Sequence, residues 1–76
     1  MIVKNKLGDY HVSDKTVEHG FGWGGGIYFR TKSGKWKFNG IGQPVANAQE
    51  VDKNDINQET KLPWGLDPET YQKVES

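Results

Sequence analysis

Apolar and polar residues alternate most clearly over residues 27–38. The runs 27–31 and 35–38 contain most of the β-branched and aromatic side chains of this segment, which is typical of strands. A turn-like sequence, Lys32-Ser33-Gly34, separates the two runs. The pattern therefore predicts a β-hairpin, and the other elements are predicted around it.

The register of this hairpin depends on the length of its loop, because side chains alternate between the two faces of a strand. A three-residue loop would pair Tyr28 with Phe38 and would mix apolar and charged groups on each face. A loop of two or four residues would pair Phe29 with Phe38 and would separate those groups, so we expect the even loop. The inward apolar face would then hold Ile27, Phe29, Trp36 and Phe38, and the outward basic face Tyr28, Arg30, Lys35 and Lys37.

Shorter patterns predict the strands before this hairpin. Residues 1–4 form an apolar run, and residues 10–12 could return antiparallel to it after the turn residues 5–9. Residues 14–19 are either a short strand or an irregular crossing. The glycines at 24–26 have no side chains to pack, so they predict a bend, a bulge or a close approach of the backbone.

The second half of the chain gives weaker signals. A further strand at Ile41 or Val45 would lie at a sheet edge, because Pro44 has no N–H to donate to a ladder. Residues 46–61 are mostly polar, and two alternatives stay open there: a helix over 46–53 or partial disorder.

The end of the chain combines an apolar patch with a helix signal. Residues 62–66 interrupt the polar tail with two leucines and a tryptophan. Asp67 has the position of an N-cap, and Pro68 has that of the first helical residue. These two residues predict a short helix near 67–74.

The composition limits the size of the hydrophobic core. The chain has 76 residues, of which 33% are hydrophobic, so it makes one domain near the lower size limit of chains that fold alone. Its core must depend on a few large side chains. The candidates are Trp23, Phe29, Trp36, Phe38 and Trp64.

We expect a β-rich α+β fold, with a small twisted antiparallel sheet of about three to five strands. An SH3-like open barrel is one architecture of this kind. Residues 1–45 would form the antiparallel β domain, centred on the 27–38 hairpin. Residues 46–76 would form an acidic C-terminal arm of the same single domain, with its short helix near 67–74.

The formal net charge is zero, but the charges are unevenly distributed. Residues 1–48 contain seven Lys or Arg against three acids, a balance of +4, whereas residues 49–76 contain three Lys against seven acids, a balance of −4. Such asymmetry indicates either an interaction surface or a tail that folds back on its own domain.

The sequence has no catalytic constellation that we can identify. It contains no cysteine, which removes disulfides, thiolate metal sites and cysteine nucleophiles. Residues 20–25 match G-x-G-x-x-G, but they lead into a predicted strand and not into the helix that a phosphate-binding loop requires. His11 and His19 lack the spacing of a zinc site. We expect a non-enzymatic protein without catalytic residues, metal or cofactor.

The N-terminal residues predict no targeting segment. They contain no charged leader followed by an apolar stretch, and no apolar run approaches the length of a membrane span. We therefore expect a soluble cytoplasmic protein.

Large apolar side chains among the acids of the arm suggest binding of another protein, because such residues dominate binding energy at interfaces. The arm could occupy a basic groove on that partner. The small size fits a regulator or inhibitor of the phage or mobile-element accessory type, and a homodimer is compatible with it. Trp64 and Leu66 could instead cover the open side of the hairpin sheet. The candidate protein-binding residues are Trp23, Leu62, Trp64, Leu66 and Tyr71.

The alternative function is nucleic-acid binding by the basic hairpin face. Basic side chains could neutralise phosphates while a tyrosine ring stacks on a base. The isoelectric point of about 6.7 is low for a dedicated nucleic-acid binder. The candidate residues for this function are Tyr28, Arg30, Lys32, Lys35 and Lys37.

Overall fold

The computed structural model describes residues 1–32 and 34–74, and over these residues the protein is sheet-rich with two antiparallel sheets. The β-rich prediction is confirmed. The first sheet pairs β1 with β2, and the second has the strand order β6-β5-β4-β3-β7. The strands are β1 (Ile2–Asn5), β2 (Gly8–His11), β3 (Thr16–Phe21), β4 (Ile27–Thr31), β5 (Lys37–Asn39), β6 (Gln49–Glu50) and β7 (Gln72–Lys73).

The N-terminal hairpin, β1 and β2, forms as the sequence predicts. Its turn is closed by the side chain of Asn5, whose Oδ1 accepts hydrogen bonds from the backbone N–H groups of Leu7 and Gly8 at 2.8 and 3.3 Å. Asparagine is favoured in turns because its side chain can bond the backbone two residues later. This hairpin lies across one face of the five-stranded sheet.

The glycine cluster forms the turn between β3 and β4. Phe21 pairs with Ile27, and the N–H of Gly22 donates to the carbonyl oxygen of Gly26 at 3.0 Å. Gly26 has a φ of 77°, and a Cβ at this position would overlap the ring of Phe38. The position therefore needs glycine both for its backbone conformation and for the close approach of an aromatic ring.

The register of the 27–38 hairpin differs from the prediction. Tyr28 pairs with Phe38, and Phe29 pairs with Lys37, so the even loop is wrong and the odd register is correct. Ser33, a residue of the predicted loop, lies outside the described residues. Tyr28 and Phe38 consequently share a face, where their ring centroids are 4.7 Å apart at an interplanar angle of 55°. The predicted register assumed one buried face, whereas both faces of this sheet are covered.

The hairpin face, covered by β1 and β2, contains the main hydrophobic core. Its four buried apolar residues are Tyr10, Val12, Ile27 and Phe29. Phe21 packs edge-on against Tyr10, with ring centroids 5.1 Å apart. Edge-to-face packing is favourable because the positive edge of one ring meets the negative face of the other. This side of the sheet is dry and closely packed.

The arm face, on the other side of the sheet, is covered by residues 51–71. Leu66 is buried there over Gly20, where an added Cβ would lie 3.1 Å from the leucine side chain. Gly65 lies over Tyr28, with 2.7 Å between the tyrosine hydroxyl and the place of an added Cβ. Two small residues thus allow the arm to approach the sheet closely.

Residues 46–61 are held by backbone hydrogen bonds, so neither a helix over 46–53 nor partial disorder describes them. They contain two short 3-10 helices, Val45–Asn47 and Lys53–Asp55. The carboxylate of Asp52 caps the second of these by accepting from the N–H of Asn54 at 2.9 Å. Frequent Asn and Asp favour such caps and turns over longer helices.

The helix predicted near 67–74 is wrong for the described residues of that segment. Asp67 does begin a turn, since its carboxylate accepts from the N–H of Glu69 at 3.0 Å and its carbonyl oxygen from that of Thr70 at 3.1 Å. The chain then extends into β7, which pairs with β3. An eight-residue helix is marginal by itself, whereas the open edge of β3 offers ladder hydrogen bonds. Glu75 and Ser76 lie outside the described residues.

The two sheets do not close into a barrel over the part of the chain that the structure describes. The SH3-like architecture therefore stays a prediction. Among the helices in that part of the chain, none is long and apolar enough to cross a membrane.

Candidate partner-binding surface

The three tryptophans lie in different environments. Trp36 is 4% exposed, and its indole Nε1–H donates to the carbonyl oxygen of Lys61 at 2.9 Å. Trp23 and Trp64 are 70% and 64% exposed. The prediction that the core includes all three is therefore wrong for Trp23 and Trp64, and only Trp36 joins the sheet to the arm from the inside.

Both exposed tryptophans stand on backbone that is held in place. The N–H of Trp23 donates to the carbonyl oxygen of Gly65 at 2.9 Å, and that of Trp64 donates to the carbonyl oxygen of Asp55 at 2.8 Å. Gly22 and Leu66 also form a β-bridge. These bonds bring the glycine turn and the arm together. We term the surface formed by Trp23 and Trp64 the tryptophan surface.

A groove of about 330 Å³ lies beside Trp64, between the arm and the sheet. We term it the acidic groove. Strands β4 and β5 place its tyrosine and phenylalanine, β6 and the capped turn after it place the acids, and the arm places the tryptophan. Its aromatic lining is Tyr28, Phe38 and Trp64, and its carboxylates are Glu50, Asp52 and Asp55.

The hydroxyl of Tyr28 is kept neutral in this groove. Burial raises the pKa of Tyr28 above its ordinary value, and the negative charge of Asp55 raises it further. The tyrosine therefore adds a neutral ring to the groove, and its negative charge comes from the carboxylates.

A second, larger groove of about 590 Å³ lies on the other side of residues 50–52. We term it the mixed groove. Its apolar lining is formed by Trp36, Val51 and Ile56. Both charge signs border it, and Lys35 lies 3.8 Å from Glu50 across it. Its remaining charged residues are Arg30, Asp52, Lys53 and Lys61.

A polar network ties the arm to the sheet next to the mixed groove. The Nε–H of Arg30 donates to one carboxylate oxygen of Glu18, and the hydroxyl of Tyr71 donates to the other at 2.5 Å. Burial, and then the hydrogen bond to Glu18, raises the pKa of Tyr71 to about 12. Arg30 also donates to the carbonyl oxygens of Thr31 and Lys32.

The predicted protein-binding residues are thus divided between surface and interior. Trp23 and Trp64 lie at the surface, on segments that hydrogen-bond each other. Leu66 is buried under the arm, and Leu62 and Tyr71 are half-buried. In this structure only the two tryptophans offer a large apolar area to a partner.

The predicted basic residues do not form one face. Arg30 and Tyr28 lie on the arm face, whereas Lys37 pairs with Phe29 and belongs to the opposite side of the sheet. Tyr28 is half-buried beneath the arm, and Arg30 is bonded to Glu18. Lys32 is exposed at the end of the hairpin.

The two histidines lie on the hairpin side of the molecule. His19 is buried, and its Nδ1 has no hydrogen-bond partner among the described residues. Burial lowers the pKa of His19 below its ordinary value. His11 is half-buried on β2. Over residues 1–32 and 34–74, no group of three or more potential metal ligands is placed to hold a metal ion.

Sequence reasoning missed the acidic groove. Its carboxylates come from β6 and the turn that follows, a segment whose structure had been left open. The available signal was the D-x-N pattern at residues 52–54, which is typical of a side-chain cap and places the next acid one turn later.

Comparison of the chain with protein-family models, with curated proteins and with solved structures found no match in any of the three.

Proposed function

We propose that this protein is a small non-enzymatic binding module that docks on another protein through the tryptophan surface. The observation that carries the proposal is the exposure of Trp23 and Trp64, 70% and 64%, on backbone segments that are hydrogen-bonded to each other. A chain with so few large hydrophobic residues places two of its largest in water.

The energetics of tryptophan support this role. Burial of an aromatic side chain removes roughly 150–250 Å² from water, and tryptophan is enriched among residues whose truncation costs the most binding energy. Backbone that is already ordered loses less entropy on binding. The hydrogen bonds from Trp23 to Gly65 and from Trp64 to Asp55 provide that order before a partner arrives.

The charge of the arm suggests how the module reaches its partner. Residues 49–76 carry a balance of −4, and three of their acids border the acidic groove beside Trp64. A negative surface around an apolar centre favours a partner with a basic surface, because complementary charge raises the association rate. We propose that the module acts as a regulator or inhibitor, of the kind found among phage and mobile-element accessory proteins, by covering that surface.

Nucleic-acid binding by Tyr28, Arg30, Lys32, Lys35 and Lys37 is the alternative, and it has less support. Arg30 is paired with Glu18, Lys35 lies near Glu50, and Lys37 is on the other side of the sheet. A salt titration separates the two functions, since phosphate contacts make the logarithm of the affinity fall linearly with the logarithm of salt concentration.

The test of the proposal is affinity capture with the full chain as bait, with and without nuclease. The wild type is compared with Trp23→Ala and Trp64→Ala. Leu7→Ala is the matched control, because Leu7 is 72% exposed but lies on the N-terminal hairpin. Urea unfolding of each variant shows that the bait is folded.

We expect a stoichiometric protein partner that survives nuclease, with capture by each tryptophan variant reduced by about tenfold or more and capture by Leu7→Ala unchanged. Equal capture by the folded tryptophan variants would overturn the proposal. A partner lost on nuclease treatment would favour the nucleic-acid alternative.

A further inference from the structure

The acidic groove combines two chemistries that bind the same kind of ligand. Its walls include the side chains of Tyr28, Phe38 and Trp64, whose ring faces attract cations. Its border holds the carboxylates of Glu50, Asp52 and Asp55, which attract cations by charge and accept hydrogen bonds from them.

Lysine and arginine are missing from the lining of this groove, over the part of the chain that the structure describes. The contrast with the mixed groove is direct, because that groove shares Glu50 and Asp52 but borders four basic side chains. The carboxylates on the acidic side are also largely unneutralised. Only Glu50 has a basic neighbour in the described residues, Lys35 at 3.8 Å, and both of those side chains are exposed.

The groove is shaped before any ligand arrives. Asp52 is fixed by its cap on Asn54, and the backbone of Asp55 is bonded to Trp64, which places that acid next to the indole. The contact of Tyr28 with Phe38 fixes the aromatic wall. Since each part is positioned by main-chain structure, a ligand would not have to order it.

We propose that the acidic groove binds an arginine side chain that the partner protein presents beside the tryptophan surface. This inference rests on the proposed binding function and adds the chemistry of the partner. Arginine fits better than lysine, because its planar guanidinium can stack on a ring and donate in pairs to a carboxylate. A groove of about 330 Å³ that is open to solvent admits a side chain.

The experiment is a titration of the isotope-labelled full chain, observed by NMR, with a short peptide that contains two arginines. The matched probes are the same peptide with citrulline, which keeps the shape and removes the charge, and with lysine. We expect the arginine peptide to shift the indole N–H signal of Trp64 and the backbone amides of residues 50–55 in a saturable manner. The citrulline peptide should bind about tenfold or more weakly, and the lysine peptide should be weaker than the arginine peptide.

Variants locate the site. The Asp52→Asn/Asp55→Asn double variant should weaken the arginine peptide by about tenfold, and asparagine can keep the cap on Asn54. Asp9→Asn is the control, because it removes one exposed carboxylate on the N-terminal hairpin. Equal shifts by the citrulline peptide, equal binding by the lysine peptide, or unchanged affinity of the double variant would each overturn the inference.

Capture of the partner separates a failure of this inference from a failure of the proposed function. If Trp23→Ala loses the partner while the double variant keeps both partner and peptide, the binding module stands and the arginine site is overturned. If the double variant loses the peptide while Trp23→Ala and Trp64→Ala capture as the wild type does, the arginine site is supported and the tryptophan surface is overturned.

Discussion

The two faces of the five-stranded sheet are covered in different ways. The hairpin face is closed by β1 and β2, and its contacts are apolar: Tyr10, Val12, Ile27 and Phe29 are all buried there. The arm face is crossed by a largely irregular segment. Its contacts include a buried leucine, a buried tryptophan and the network of Glu18, Arg30 and Tyr71, and grooves remain on both sides of residues 50–52.

This difference separates stability from recognition. Close apolar packing gives the most stabilisation per residue and leaves no room for a ligand. A cover made of turns, capped by polar side chains, contributes less and leaves charged, aromatic openings. We therefore expect substitutions on the hairpin face to act mainly on the free energy of unfolding, and those around the tryptophan surface mainly on binding.

The largest loss of stability should come from the hairpin face. Ile27→Ala removes a fully buried side chain and leaves a cavity, so the free energy of unfolding should fall by about 2–5 kcal/mol. Leu7→Ala, on an exposed side chain, should change it by about 0.5 kcal/mol or less. Urea unfolding measures both. A small effect of Ile27→Ala would mean that this core is not the main source of stability.

An intermediate effect is expected for the polar network of the arm face. Tyr71→Phe removes one donor from Glu18 and should lower the free energy of unfolding by about 1–2 kcal/mol. Lys35→Gln, which affects an exposed pair, should cost about 0.5 kcal/mol or less. A double-mutant cycle of Tyr71→Phe with Glu18→Gln should give a coupling of about 0.5 kcal/mol or more. Strict additivity would show that the hydroxyl and the carboxylate do not act together.

The pH dependence of stability tests the buried histidine. Because burial lowers the folded pKa of His19 below its unfolded value of 6.5, the unfolded chain binds the proton more readily. Stability should therefore fall as the pH falls below about 6.5, until the folded pKa is reached, and this contribution should vanish above that range.

The measurement is urea unfolding between pH 7.5 and 5 for the wild type and for His19→Phe, in which the contribution should disappear. His11→Gln is the matched control, since it removes the other histidine and leaves His19 in place. Parallel pH curves for the wild type and His19→Phe would contradict the assignment.

The smallest effect on stability is expected at the tryptophan surface. Trp64→Ala should change the free energy of unfolding by about 0.5 kcal/mol or less, because its side chain is 64% exposed. Trp36→Ala is the comparison: that ring is buried and bonded to Lys61, so about 3–5 kcal/mol should be lost. Unfolding of Trp64→Ala would place this residue with the core and would remove the main support for the binding role.

Much of the β framework could be predicted because its signals are local. The turn at Asn5, the glycine turn before Ile27 and the alternation in β4 each specify a backbone conformation without reference to the rest of the chain. The turn at Asp67 was also local, and its cap was found correctly. What followed it was not, since the edge of β3 selected a strand over a short helix.

The candidate site was predictable only in part. Trp23 and Trp64 attract attention in any sequence of this size, but their exposure depends on which side chains the arm buries in their place. Leu66 fills the space over Gly20, and Trp36 fills the space beside Lys61. The acidic groove needed three separate segments to meet, and no local pattern specifies such a meeting.

The sequence by itself determined where the chain turns, that it is rich in strands, and that its two halves carry opposite charge, because these follow from backbone preferences and from composition. The tertiary structure decided the register of the 27–38 hairpin, the environments of the three tryptophans and the edge strand at Gln72–Lys73. The physical reason is burial. Which face of a strand is apolar can be read along the chain, but which face is covered depends on what packs against it, and here segments distant in sequence covered both.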